Sequence, residues 1–134
     1  MTFTGTILVV DDEPHIRKFV SLILKQLGHR SILEAGNGEE ALVIYEREKP
    51  ALVLMDVNMP ILDGIQTLER LKQFDPEAVV IMLTSLVNRE TIERALHLGA
   101  VNYIRKDTPK EEIGEALRET IADCFGEETK PTSP

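Results

Sequence analysis

The sequence predicts an α/β domain built around a parallel sheet, and three observations carry that prediction. Apolar runs of strand length alternate five times with stretches of helical periodicity, the pattern of successive βα units. Two of these runs empty directly into acids, Ile7-Leu8-Val9-Val10 into Asp11-Asp12 and Leu52-Val53-Leu54-Met55 into Asp56. The chain's 134 residues suit one domain with a self-sufficient core and leave no room for a second folded module.

The elements follow in order. After the first strand, Ile16, Phe19, Val20, Ile23, Leu24 and Leu27 form a helical stripe, with Pro14 near the first turn and Gly28 past the end. A short strand around Ser31-Ile32-Leu33 precedes a helix that begins near Asn37-Gly38 and stops before Pro50, because a residue preceding proline disfavours helix. The third strand is Leu52 to Asp56. Beyond the loop from Val57 to Asp63, a helix carries Ile65, Leu68, Leu71 and Phe74 on one side until Asp75-Pro76 breaks it. The fourth strand is Val79 to Leu83, and the fourth helix spans roughly Arg89 to Leu98, with Gly99 in a left-handed cap position.

Val101-Asn102-Tyr103-Ile104 is more mixed in polarity, as an edge strand should be. The last helix opens with Thr108-Pro109-Lys110-Glu111, in which Thr108 is expected to cap, Pro109 to lie in the first turn and Glu111 to complete a capping box. Ile113, Ala116, Leu117, Thr120, Ile121 and Cys124 are expected to face the sheet. The domain is expected to occupy residues 1–126, and residues 127–134, which lack apolar side chains, to form a flexible tail or linker stub.

Composition narrows the function classes. Lys+Arg 15 against Asp+Glu 23 gives a formal charge of -8, which argues against this chain gripping a nucleic-acid backbone. The single cysteine, Cys124, excludes an intramolecular disulfide, a structural zinc cluster and a CxxC redox motif. No basic region precedes the first apolar stretch, and no run approaches the roughly 20 apolar residues of a membrane span. A soluble cytoplasmic protein, binding neither nucleic acid nor membrane, is the expectation.

In a parallel α/β sheet, chemistry gathers outside the carboxyl ends of the strands, so Asp11, Asp12 and Asp56 are expected in one crevice. Three like charges repel unless a hard divalent cation binds among them, and Mg²⁺ takes oxygen ligands of this kind. Thr84-Ser85 after the fourth strand and Lys106 after the fifth add hydroxyls and a cation at the same rim. Together they suggest an Mg²⁺-assisted phosphoryl site. Each residue alone has a plainer reading: Asp11-Asp12 and Thr84-Ser85 as helix caps, Asp63-Gly64 as a turn, Lys106 as a solvated edge charge, Tyr103 as a half-buried edge side chain. Their order along the chain favours function. His15, His29 and His97 show no metal-ligand spacing.

At this point the chain closely resembles the receiver domain of bacterial two-component response regulators. The resemblance rests on Leu8-Val9-Val10-Asp11-Asp12-Glu13, on the stretch Leu54-Met55-Asp56-Val57-Asn58-Met59-Pro60-Ile61-Leu62-Asp63-Gly64, on Leu83-Thr84-Ser85 and on Gly99-Ala100-Val101-Asn102-Tyr103-Ile104-Arg105-Lys106. It covers about residues 5 to 125. It implies a flavodoxin-like (βα)5 fold, doubly wound with strand order 2-1-3-4-5. It also implies that Asp56 is the nucleophile, taking a phosphoryl group from a sensor histidine kinase or a histidine phosphotransfer protein. Mg²⁺ is then expected on Asp56, on one of Asp11 and Asp12 directly and the other through water, and on the backbone carbonyl of Asn58. Lys106 and Thr84 would contact the phosphoryl oxygens, and Thr84 and Tyr103 would act as the switch.

Such a domain is a regulatory phosphoacceptor rather than an enzyme, catalysing only its own phosphorylation and slow autodephosphorylation. Its output would run through a downstream protein target or a C-terminal output domain, with a homodimer formed on phosphorylation as a further route. A degenerate receiver working by contact alone stays open. So does the choice between a stand-alone receiver and one cut from a longer regulator. The chain departs from the family where Asp107 replaces a proline that commonly follows the lysine in a cis peptide, and where Val101-Asn102 replaces an acidic pair. Two rivals share features. A flavin-binding electron carrier would need its phosphate loop after the first strand, whereas Thr2-Phe3-Thr4-Gly5-Thr6 precedes it; a haloacid-type Mg²⁺-dependent phosphatase would need Asp-x-Asp, not adjacent Asp11-Asp12.

Overall fold

The computed structural model describes residues 5–85 and 88–126. Along them run β1 (Ile7–Val10), α1 (Pro14–Gln26), β2 (Ile32–Ala35), α2 (Gly38–Glu48), β3 (Leu52–Met55), α3 (Gly64–Phe74), β4 (Val80–Thr84), α4 (Arg89–His97), β5 (Asn102–Arg105) and α5 (Lys110–Phe125). The strands form one parallel sheet in the order β2-β1-β3-β4-β5. This is the doubly wound (βα)5 fold. The expected tail at residues 127–134 lies outside the described residues.

Side chains of successive strand residues point to opposite faces, so β1, β3 and β4 need apolar residues at every position when helices cover both faces. Leu8, Val10, Val53, Met55, Val80 and Met82 pack on one face with Ala41, Tyr45, Leu68, Leu71 and Ala95 from α2, α3 and α4. Ile7, Val9, Leu52, Leu54, Ile81 and Leu83 pack on the other with Val20, Ile23, Leu24, Ile113, Leu117 and Ile121 from α1 and α5. The edge strands β2 and β5 are less buried and correspondingly mixed in composition.

Most helix boundaries have identifiable local causes. Pro14 opens α1, and Gly28 follows it at φ +101. The Asn37 and Asn88 side chains accept the backbone N–H groups of Glu40 and Thr91, capping α2 and α4. Asp63 and Gln66 form a reciprocal capping box on α3.

Two expectations are corrected. Thr108 does not cap α5, and Glu111 does not close a box: Pro109 is the N-cap, its carbonyl accepting from Glu112 and Ile113 N–H at 2.9 Å. The helix therefore starts one residue later, leaving Thr108 outside it, where its N–H donates to the Arg105 carbonyl at 3.2 Å. Cys124 is exposed rather than core. Cys124 lies in the last turn of α5, where Ile121 and Phe125 pack against the sheet in its place.

Candidate functional site

The site is assembled by main-chain pairing at the carboxyl ends of the strands. Asp11 N–H donates to the Ala35 carbonyl at 3.1 Å, and Asp56 N–H donates to the Val10 carbonyl at 2.9 Å, so both acids continue the sheet by one residue. Lys106 is placed the same way, its N–H donating to the Thr84 carbonyl at 3.0 Å. Neighbouring strands thus bring Asp11, Asp56, Thr84 and Lys106 to one rim. Asp11, Asp56 and Thr84 are buried, Asp12 is exposed, and the candidate ligand oxygens of the three acids lie within 4.8 Å of one another.

Lys106 lies inside this cluster. Its Nζ is 2.6 Å from Asp11 Oδ2 and 3.3 Å from Asp56 Oδ2. The other Asp11 oxygen, Oδ1, accepts Glu13 N–H at 2.9 Å, so both its carboxylate oxygens are oriented. Asp56 Oδ1, by contrast, is buried with no hydrogen-bond partner. An unpartnered buried carboxylate oxygen is costly, and such atoms in native proteins call for a specific cause such as an ion or a catalytic role.

The electrostatics follow from this packing. Burial raises the pKa of the Asp56 carboxyl and the neighbouring Asp11 raises it further, against the charge and hydrogen bond of Lys106 and hydrogen bonding by Thr84. Burial pulls the Lys106 ammonium down, but the hydrogen bond to Asp11 and the charges of Asp56 and Asp11 outweigh it and leave its pKa raised. Tyr103, partly buried on β5, is raised by burial and by the charge of Asp56, with Arg105 opposing. Oxygen-rich and anionic, the cluster is the donor set that hard divalent cations take.

The other expected residues are accounted for as follows. Asn58 is exposed in the loop between β3 and α3, two residues after Asp56. Asp107 turns outward, gripped by Arg105 through two hydrogen bonds at 3.0 and 2.6 Å. No peptide bond among the described residues is cis, and Lys106 reaches the acids with a trans bond before Asp107.

Two features escaped the sequence reading. Gly64 looked like part of a turn, yet a Cβ there would lie 2.0 Å from the Asp56 carbonyl oxygen, so its bare backbone is what lets α3 start against the site. The signal was the Asp63-Gly64 pair following a strand-end acid. Arg17 on α1 has no place in the sequence motifs, yet its Nη1 donates to the Asp11 carbonyl at 2.6 Å. No sequence signal distinguishes it from Lys18 beside it.

Comparison with known proteins accords with this arrangement. Residues 7–118 match the family model described as "Response regulator receiver domain". The chain is 35% identical over 115 residues to the chemotaxis protein CheY of Bacillus subtilis (strain 168), covering 86% of this chain and 96% of that protein. It is 39% identical over 114 residues to the positive alginate biosynthesis regulatory protein of Pseudomonas aeruginosa, covering 84% of this chain but 45% of that one. A chain of the CheX-CheY-BeF3-Mg+2 complex from Borrelia burgdorferi superimposes with a TM-score of 0.81 at 29% identity, over 90% of this chain and 88% of that chain. With the family model spanning most of the sequence and a sheet that carries its acids, hydroxyl and lysine to one rim, this chain belongs to the receiver-domain family of two-component response regulators.

Proposed function

We propose that this receiver is a phosphorylation-controlled switch in which Asp56 accepts a phosphoryl group from the phosphohistidine of a sensor histidine kinase or histidine phosphotransfer protein. The observation that carries the reading is Asp56 itself, buried, with Oδ1 unpartnered and Lys106 and Asp11 beside it. A carboxylate oxygen of Asp56 attacks phosphorus, the N–P bond of the donor breaks, and its electron pair returns to the imidazole. A carboxylate is a weak nucleophile, so the rate must come from alignment and charge neutralisation.

Asp56, Asp11, Asp12 and the carbonyl of Asn58 are the residues that would hold Mg²⁺. Bound there, the ion would screen the carboxylate from the phosphoryl oxygens and orient them in line. Lys106 offers a compact positive charge to a phosphoryl oxygen, exchanging part of its contact with Asp11 and Asp56 for it. The Thr84 hydroxyl, buried at the end of β4, donates to a second oxygen. Tyr103 on β5 is the aromatic group that would respond to Thr84 and remodel the face of α4, β5 and α5 read by a target protein or an output domain, or in a phosphorylated homodimer. Among the described residues no helix is long and apolar enough to cross a membrane, in keeping with a cytoplasmic site of action. In this role the chain is a regulatory domain rather than an enzyme acting on other substrates.

Intact mass after incubation with Mg²⁺ and a small-molecule phosphodonor tests the proposal. One added phosphoryl group is expected in the wild type, and none in Asp56→Asn or with a chelator. An adduct on Asp56→Asn would place the acceptor elsewhere, and one formed with the chelator would show that the transfer needs no Mg²⁺. No adduct, with Mg²⁺ binding shown separately, would mean a receiver that works by protein contact alone.

A further inference from the structure

Asp11 is held from three sides. Its carboxylate is fixed by Glu13 N–H and Lys106, and its carbonyl accepts Arg17 Nη1 at 2.6 Å. That carbonyl belongs to the peptide unit joining Asp11 to Asp12, so holding it also sets the direction in which the exposed Asp12 leaves the chain. Arg17 is itself anchored across the sheet, its Nε 2.9 Å from Glu34 Oε1 on β2. The guanidinium side chain is mostly covered, at 19% exposure, against 45% for Glu34. A planar fork that reaches a carbonyl with one nitrogen and a carboxylate with another is a geometry lysine does not reproduce.

We propose that Arg17 is a positioning residue of the acidic cluster, clamping the Asp11–Asp12 peptide so that both carboxylates are presented to a divalent cation, with Glu34 anchoring the clamp and offsetting its charge. This rests on the reading that Asp11, Asp12 and Asp56 take Mg²⁺. Metal ligands are oriented by groups one step further out, and an Arg left without its carboxylate would repel the cation it is meant to serve. The short hydrogen bond to the carbonyl makes the positioning effect outweigh the repulsion.

The test is calorimetric titration of Mg²⁺ into wild type, Arg17→Ala, Arg17→Lys, Glu34→Gln and the Arg17→Ala/Glu34→Gln pair, with a thermal melt of each. Arg17→Ala is expected to weaken Mg²⁺ binding about tenfold or more, the usual cost of losing such an outer group. Glu34→Gln should weaken it less, Arg17→Lys should recover part of the loss, and the double variant should lie within about twofold of Arg17→Ala, because Glu34 acts through Arg17. Wild-type affinity in Arg17→Ala overturns the proposal, even with a lowered melting temperature, since Arg17 would then serve the fold alone. Fully additive losses in the double variant overturn the anchoring role of Glu34. Should Arg17→Ala not fold, unchanged affinity in both Arg17→Lys and Glu34→Gln overturns the clamp. If the wild type takes up no Mg²⁺, the cation reading fails first, recognisable because every protein in the series is then silent.

Discussion

At Asp56 the physics of function and of stability pull in opposite directions. Its pKa is raised by burial and by Asp11, so the folded chain holds a proton there more tightly than the unfolded chain does. The stability this group contributes is present in acid and is lost as pH rises through the raised folded pKa. Above that raised pKa the folded state carries an ionised, partly unpartnered Asp56 at a cost. Asp56→Asn removes the charge and keeps the shape, and Lys106 retains Asp11 at 2.6 Å. In metal-free buffer the substitution should stabilise the fold by about 1 kcal/mol at neutral pH, the ordinary scale of single substitutions. The gain should shrink toward zero as the solution is acidified and wild-type Asp56 takes up its proton. Urea unfolding at neutral and acid pH measures both, and a variant less stable than wild type at neutral pH would show Asp56 to be well compensated. The acids and Thr84 were legible in the sequence because they close apolar runs, and Lys106 because it follows the fifth strand of the same series. Arg17 was not, because its acceptor is a main-chain carbonyl and its anchor lies 17 residues away.

Among the elements, two glycines of similar appearance in sequence have opposite roles. Gly64 opens α3, and an added Cβ would sit 2.0 Å from the Asp56 carbonyl oxygen and 2.8 Å from Val57 Cα, both backbone atoms that have no easy way to yield. Gly114 lies inside α5, where an added Cβ would meet Ile23 Cγ2 at 3.6 Å, an ordinary contact. Gly64→Ala should destabilise the chain by about 2 kcal/mol or more, as forced overpacking does, and should also displace Asp56 and weaken Mg²⁺ binding. Gly114→Ala should stabilise it by about 0.5–1 kcal/mol, since alanine suits a helix interior better than glycine. Chemical denaturation of both variants checks the contrast, and equal effects would contradict this account of where α3 must approach the site. The boundaries of α5 show where local sequence rules stopped short. Thr108-Pro109 can begin a helix at either residue, and the hydrogen bonds from Glu112 and Ile113 to the Pro109 carbonyl choose the later start. Five βα units could be read from periodicity alone, but the order β2-β1-β3-β4-β5 could not, because helix and strand periods do not say which strands pair. That order came only with the family resemblance.

For the whole molecule, the question is how an event at one rim reaches a face of the domain. β4 ends in Thr84, β5 carries Tyr103 and leads into Lys106, and the two strands are paired with Thr84 opposite Arg105. Signals from a phosphoryl group on Asp56 would thus enter both strands on their shared edge. Moving a two-state element from 1:99 to 99:1 takes about 5.5 kcal/mol of differential interaction. Two charge-assisted contacts at roughly 1.5–3 kcal/mol each, one from Lys106 and one from Thr84, nearly supply it. Either alone falls short, which separates acceptance of the phosphoryl group from its consequence. Thr84→Ala keeps Asp56, Asp11 and Lys106, so it should still gain one phosphoryl group by intact mass. It should nevertheless lose most of the change in hydrogen exchange that phosphorylation brings to α4, β5 and α5 in the wild type. Because Thr84 already hydrogen-bonds Asp56 before phosphorylation, each protein is compared with its own unphosphorylated form, and it is the change that should be lost. A Thr84→Ala protein that is phosphorylated and shows the full wild-type change would mean that Lys106 and the cation drive the transition without the hydroxyl, and that the link through β4 plays no part.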